Sequence, residues 1–200
     1  MKKISLAFLF LIAISCTVNK PQQVGNLDAI IAEYTQIAVL PMSVRFSEDF
    51  KRMPNRGRNS DWDEQERLAG LDLQKICFVA VSDRANKKNW SLTAQNYLLS
   101  NKTLAERRVA IKDIPLASKD ALAKLLKVDA VLYGTSTMDF NMNSYRKGME
   151  TELQLIDAKT GQVVWSHSYF ESISNRMESP QDLAEKSMNS LVKMLPIKAL

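Results

Sequence analysis

Cysteine, histidine and glycine are scarce in this sequence. Its 200 residues include two cysteines, one histidine and six glycines. These counts exclude a disulfide-stapled scaffold and a collagen-like repeat, and they leave few side chains for metal binding or nucleophilic catalysis. The 46% hydrophobic and 24% charged residues are typical of one ordinary globular domain and exclude a fully disordered chain. A chain of this length buries roughly 70% of its unfolded surface, so it needs neither metal nor cystine to fold.

The N-terminus has the pattern of an exported protein. Lys2 and Lys3 precede a mostly apolar run, residues 4 to 14, that is too short to span a bilayer. The run ends in Ala13-Ile14-Ser15-Cys16, which resembles a bacterial lipobox, where the cysteine is acylated and becomes the first residue of the mature chain. The alternative is a plain secretory signal in which Cys16 is coincidental. We therefore predict a signal peptide over residues 1 to 15 and a lipid anchor at Cys16.

The mature chain gives further expectations about location and partners. Thr17 follows the cysteine, and the lack of Asp there favours the outer membrane, with the protein facing the periplasm. Loss of Lys2 and Lys3 lowers the formal charge from +5 to +3, which is too small to indicate nucleic acid binding. With Cys16 acylated, Cys77 has no disulfide partner and is predicted to be a buried apolar residue.

Hydrophobic patterning predicts a single α/β domain over residues 36 to 200, preceded by the lipidated cysteine and a tether over residues 16 to 35. Residues 43 to 63 are polar, and their basic part, residues 45 to 58, is predicted to form a solvated loop. The acidic residues that follow are predicted to lie in the first turn of a long helix, which Ser60 caps and which continues to Asn86. Within it, Ile76 to Val81 could alternatively be a buried strand. The other predicted elements are strands over Gln36–Pro41, Trp90–Gln95 and Val128–Gly134, helices over Leu98–Arg107 and Lys119–Lys127, a hairpin over Glu152–Trp165 that turns at Gly161, and a last helix from Ser179-Pro180.

This order of elements indicates an α+β sandwich, with helices packed on a mixed sheet of about five strands. Three segments carry a family resemblance: Ile37 to Pro41, Ala123 to Gly134 and Leu155 to Trp165. Their order and spacing resemble the periplasmic lipoprotein domains related to the N-terminal domain of TolB, a superfamily that also holds the curli secretion lipoprotein CsgG and lipoprotein activators of penicillin-binding proteins. The resemblance covers most of residues 36 to 195. It implies a TolB-like fold, a place in the cell envelope, action through protein contacts and no enzymatic activity.

Two groups of residues are candidates for partner binding. Apolar side chains that alternate with Asn and Asp favour either core packing or an adaptable protein-binding edge: Met138, Phe140, Met142 and Tyr145. Basic side chains could contact lipid phosphates or an acidic partner, or could belong to an ordinary solvated loop: Lys51, Arg52, Arg56 and Arg58. His167 has no Cys or carboxylate at ligand spacing, so no catalytic residue, metal or cofactor is predicted.

The favoured hypothesis is a lipid-anchored, non-enzymatic lipoprotein that binds an unidentified envelope protein in cell-envelope assembly or secretion. The alternative is a subunit of a homo-oligomeric, curli-type secretion channel. Its candidate membrane segment, Met138 to Met142, is shorter than the about 9–11 residues of a transmembrane strand. An enzyme is the least favoured class, because the lone histidine has no recognisable partner for a catalytic triad.

Overall fold

The computed structural model describes residues 22–23, 27–53, 61–174 and 178–197. These residues include seven strands: β1 (Gln22–Gln23), β2 (Gln36–Val39), β3 (Ser43–Phe46), β4 (Thr93–Gln95), β5 (Ala130–Asp139), β6 (Gly148–Asp157) and β7 (Val163–Ser172). They form one mixed sheet in the order β1-β7-β6-β5-β2-β4, and β3 pairs with the C-terminal half of β5. The predicted mixed sheet is therefore confirmed, with seven strands in place of about five.

Helices cover both faces of the sheet. They are α1 (Leu27–Ala32), α2 (Glu48–Lys51), α3 (Trp62–Lys88), α4 (Tyr97–Glu106), α5 (Lys119–Leu126) and α6 (Pro180–Lys193), with a 3-10 turn at Ile111–Asp113. One hydrophobic cluster joins α1, α3 and α6 to the sheet, and a second joins α4 and α5 to its opposite face. Among the described residues, no helix combines the length and the apolar character needed to cross a membrane.

The strand β2 is buried on both faces, as its apolar run predicted. Ile37 and Val39 point into the cluster under α3 and α6, while Ala38 and Leu40 point into the cluster under α4 and α5. β2 lies between β4 and β5 and is parallel to both. An interior parallel strand contacts helices on both sides, which is why its sequence shows no polar alternation.

The segment Ile76 to Val81 is helical and lies in the middle of α3. Gly70, Leu73, Cys77, Ala80 and Val81 are buried at the three- and four-residue spacing of one helix face. The N-cap is Asp61, not the predicted Ser60, because the Asp61 carboxylate accepts a hydrogen bond from the Glu64 backbone N–H at 3.1 Å.

Two local predictions near the C-terminus are confirmed. The β6–β7 hairpin turns at Gly161, whose φ of 71° favours glycine. Ser179 caps α6 in a capping box with Asp182, and Pro180 occupies the first turn.

The folded domain begins earlier and contains more structure than the sequence patterns predicted. α1 lies within the tether predicted over residues 16 to 35, and its Leu27 and Ile31 are buried in the core. The solvated loop predicted for the basic part of residues 43 to 63 is wrong in its described part, where β3 and α2 form, because Val44 and Phe50 bury apolar side chains. The strand predicted over Trp90–Gln95 is shortened to β4.

Candidate functional site

A groove of about 960 Å³ lies between α3, the first half of α6 and the C-terminal end of β5. Leu73, Ile76 and Val79 form its wall on α3, at a spacing that places them on one helix face. Leu73 is buried, whereas Val79 keeps 47% of its surface exposed. Exposed apolar surface inside a concavity of this size is the usual form of a binding site.

Aromatic rings from β3 and α2 build the end of the groove nearest β5. The Phe50 ring centroid lies 5.4 Å from that of Phe140 and 5.9 Å from that of Trp62. Phe46 lies 6.4 Å from Phe140 in the same cluster. Edge-to-face and tilted packing of this kind holds each ring in place. This end of the groove is therefore formed by aromatic side chains that pack on one another.

The predicted apolar group divides between the core, the groove and the surface. Met138 pairs with Met149 across β5 and β6 and is only 5% exposed. Phe140 and Met142 follow the end of β5, are half-buried and line the groove with Met138. Tyr145 is fully exposed and is not part of the groove lining. Met138 therefore has the core position that one alternative predicted, whereas partner binding by the other members of the group stays a prediction.

The predicted basic group is also divided. Lys51 contacts Glu66 at 2.7 Å, and the same Glu66 carboxylate accepts a hydrogen bond from the Phe46 backbone N–H at 2.9 Å. Lys51 therefore ties α2 to α3 beside the aromatic cluster. Arg52 is exposed and lies 3.6 Å from Glu48. Arg56 and Arg58, like Cys16, lie outside the described residues.

The charged residues that line the groove are mainly acidic. Asp72, Asp83 and Glu185 are exposed carboxylates at the groove, and Lys75 is the basic residue among its lining. Glu178 also lines it, but its carboxylate is paired with Lys186 and accepts hydrogen bonds from Ser174. Those contacts lower the pKa of Glu178 to about 2. The groove therefore combines an apolar interior with a net negative edge.

Two carboxylates in the sequence segments of the family resemblance serve the fold. Burial raises the pKa of Asp157, but hydrogen bonds from Thr160 and Tyr34 outweigh it and hold the pKa below its usual value. The Tyr34 hydroxyl donates to Asp157 at 2.9 Å. Asp129 accepts hydrogen bonds from the backbone of Thr35 and Gln36 and so fixes the start of β2.

The chemistry available in the described residues is limited. No group of three or more His, Cys, Asp and Glu side chains stands close enough to hold a metal ion within those ranges. His167 lies on β7, and partial burial lowers its pKa, so the imidazole is neutral near pH 7. Burial also raises the pKa of the Cys77 thiol to about 12, which makes it a poor nucleophile.

Sequence reasoning identified Met138, Phe140 and Met142 but missed the rest of the groove. Phe46 and Phe50 stand in a polar stretch, where two isolated aromatic residues were the only available signal. Leu73, Ile76 and Val79 belong to the helical pattern of α3, and nothing in that pattern distinguishes a groove wall from core.

No family model and no curated protein matches the chain. Among solved structures, the fold is similar to the PelC dodecamer from Paraburkholderia phytofirmans, with 13% identity, a TM-score of 0.47 and coverage of 88% of this chain and 94% of that one. It is also similar to the lipoprotein GNA1162 from Neisseria meningitidis, with 18% identity, a TM-score of 0.47 and coverage of 80% and 96%. For the LpoB C-terminal domain from Escherichia coli, the identity is 14%, the TM-score 0.40 and the coverage 74% and 96%. The TolB and CsgG superfamily predicted from the sequence is therefore not confirmed and stays a prediction.

Proposed function

We propose that this protein is a lipid-anchored, non-enzymatic accessory of the cell envelope that binds another envelope protein in the groove between α3 and α6. The observation that carries the proposal is the groove itself, with exposed Val79 and the half-buried Phe140 and Met142 inside it. The lipobox at Cys16 supports the anchor and the location. The scarcity of groups suited to catalysis supports a binding role.

The groove chemistry specifies the kind of segment it binds. Its apolar interior fits a segment with two or three large apolar side chains, which remove Val79, Phe140 and Met142 from water. Asp72, Asp83 and Glu185 surround that interior with negative charge. The partner segment is therefore amphipathic, with Lys or Arg beside its apolar side chains.

Site-specific photo-crosslinking in cells tests the proposal. Val79 in the groove and Leu99 on α4 have similar exposure, 47% and 53%, and are each replaced by a photoreactive phenylalanine. Leu99 lies on α4 and is not part of the groove lining, so it is a matched control. We expect an adduct with one envelope protein from position 79 and none from position 99, and mass spectrometry of the linked peptide should find apolar residues flanked by Lys or Arg.

Charge reversal then tests the recognition itself. With the photoreactive residue at position 79, Asp72→Lys and Asp83→Lys together should lower the adduct yield about tenfold or more, because each reversal places like charges against the partner. Lys102→Glu, on exposed α4, should leave the yield unchanged. Equal adducts from positions 79 and 99, a linked peptide without basic residues, or adducts with phospholipid only would each contradict the proposal.

A further inference from the structure

The direction in which the chain enters the sheet limits how the domain can be oriented on a membrane. β1 is antiparallel to β7, with Gln22 opposite Ser166 and Gln23 opposite Trp165. The N-terminal end of β1 therefore points in the direction in which β7 runs toward Ser172. Ser172 pairs with Gly148, which pairs in turn with Asp139, so these residues mark one end of the sheet.

Chain length limits the distance between the anchor and this end. Gln22 is six positions after Cys16, and six fully extended steps of the chain span at most about 20–22 Å. The six-residue step from Ser166 to Ser172 covers about 20 Å along β7. A lipid anchor at Cys16 would therefore lie within about 20–22 Å of Gln22. This reach is similar to the distance along β7 from Ser166, opposite Gln22, to this end of the sheet, so the anchor holds the domain close to the membrane surface.

The loop between β5 and β6, residues 140–147, projects from this end of the sheet. It carries fully exposed Tyr145, half-buried Met142 and two basic residues, Arg146 and Lys147. Arg146 lies 3.0 Å from Glu150 and 4.9 Å from the Phe170 ring centroid. Tyrosine is enriched at membrane interfaces because its ring is apolar and its hydroxyl remains hydrated, and basic side chains favour the phosphate level.

The opposite end of the same sheet lacks these features. The β6–β7 turn there contains Lys159, Thr160, Gly161 and Gln162, all exposed and none aromatic. Lys159 is paired with Glu33 at 2.6 Å, much as Arg146 is paired with Glu150, so basic side chains occur at both ends. The two ends of the sheet therefore differ in chain direction and in the exposed aromatic Tyr145, which is present only in the loop 140–147 of these two turns.

We propose that the loop 140–147 is a membrane-contact site, in which Tyr145 inserts at the headgroup level of the phospholipid surface that holds the acylated Cys16. The proposal rests on the lipid anchor contained in the proposed function. It assigns a role to Tyr145, which lies outside the groove. It also places the nearby end of the groove close to the membrane, because Phe140 and Met142 belong to the same loop.

Depth-dependent quenching on the full-length, acylated protein tests the proposal. A thiol-reactive fluorophore is attached at Tyr145→Cys or, as the matched control, at Gln162→Cys in the turn at the opposite end. Cys77 is fully buried, with its pKa raised to about 12, so it does not react in the folded protein. Each labelled protein is reconstituted in phosphatidylethanolamine–phosphatidylglycerol vesicles that contain a nickel-chelating headgroup quencher.

We expect strong quenching at position 145 and little at position 162. With the label moved to Asn143→Cys, Tyr145→Ser should reduce the quenching, whereas Lys159→Ser should not. Equal quenching at the two ends, stronger quenching at position 162, or no quenching at either in acylated protein would overturn the proposal. The mass of the N-terminal peptide reports acylation separately. An unmodified Cys16 would refute the anchor and the membrane contact together, while leaving the groove as a protein-binding site.

Discussion

At the scale of single residues, buried polar contacts organise the point where the chain enters the domain. Tyr34 follows α1 and is 3% exposed, and its hydroxyl reaches across 123 positions in sequence to Asp157. The Asp157 carboxylate also accepts hydrogen bonds at 2.8 Å from the backbone and the hydroxyl of Thr160. One side chain therefore joins the N-terminal segment to the β6–β7 hairpin.

Asp157→Ala should lower the free energy of unfolding by about 3 kcal/mol, because it leaves the buried Tyr34 hydroxyl without its acceptor and removes the hydrogen bonds from Thr160 that close the turn. Tyr34→Phe removes one hydrogen bond and should cost about 1 kcal/mol. Urea unfolding at pH 7 measures both.

The pH dependence of Asp157 provides the control. Its pKa is lowered in the folded state, so its contribution to stability is present above the unfolded pKa and is lost as the pH falls through the folded pKa. Asp157→Ala should therefore be most destabilising near neutral pH and less so in acid. An equal effect at both pH values would contradict this assignment.

At the scale of elements, α3 is positioned by a close approach to the chain between β2 and β3. The Met42 backbone N–H donates to the Gly70 carbonyl at 3.2 Å, and a Cβ atom on Gly70 would collide with the Met42 carbonyl oxygen. The helix therefore contacts this segment through backbone, which a glycine alone permits. This contact fixes the distance between α3 and the sheet. It therefore also fixes the position of the α3 residues that form the wall of the groove.

Gly70→Ala should lower the free energy of unfolding by about 2 kcal/mol or more, although alanine is intrinsically better than glycine in a helix by about 1 kcal/mol. The collision with backbone outweighs that preference. Thermal unfolding of Gly70→Ala and of Asn86→Ala, an exposed control on the same helix, measures the difference. A stability equal to or above that of the unmodified protein would show that α3 can move away from Met42.

At the scale of the whole molecule, the hairpin that contains the start of the candidate channel segment, Met138 to Met142, is packed into the domain. β5 and β6 pair over ten positions, and Met138 and Met149 are 5% and 0% exposed under the helices. Withdrawing this hairpin would expose that apolar surface to water. The fold therefore disfavours a curli-type channel built from this hairpin.

The full-length protein in mild detergent should accordingly have the mass of a monomer or dimer. Sedimentation or light scattering coupled to size-exclusion chromatography gives this mass, with the detergent contribution subtracted. Ring-sized assemblies would instead support the channel hypothesis and direct attention to residues 135 to 149.

The sequence alone was sufficient for features set by local chemistry. The helix from Ser179, the turn at Gly161 and the doubly buried β2 were all predicted, because capping, positive φ and hydrophobic period depend on a few neighbouring residues. Cys77 was likewise predicted to be buried, and it is. The lipobox at Cys16 is also a sequence property, and it stays a prediction.

The tertiary structure decided what depends on contacts between distant residues. Tyr34 was assigned to a tether because its partner, Asp157, is distant in sequence. Phe50 was assigned to a solvated loop because it packs on Phe140, which is also distant in sequence. The groove is formed where α3, α6 and the end of β5 come together, and these elements are distant from one another in sequence. No local pattern encodes it, because a helix residue that lines a groove and one that fills a core follow the same period.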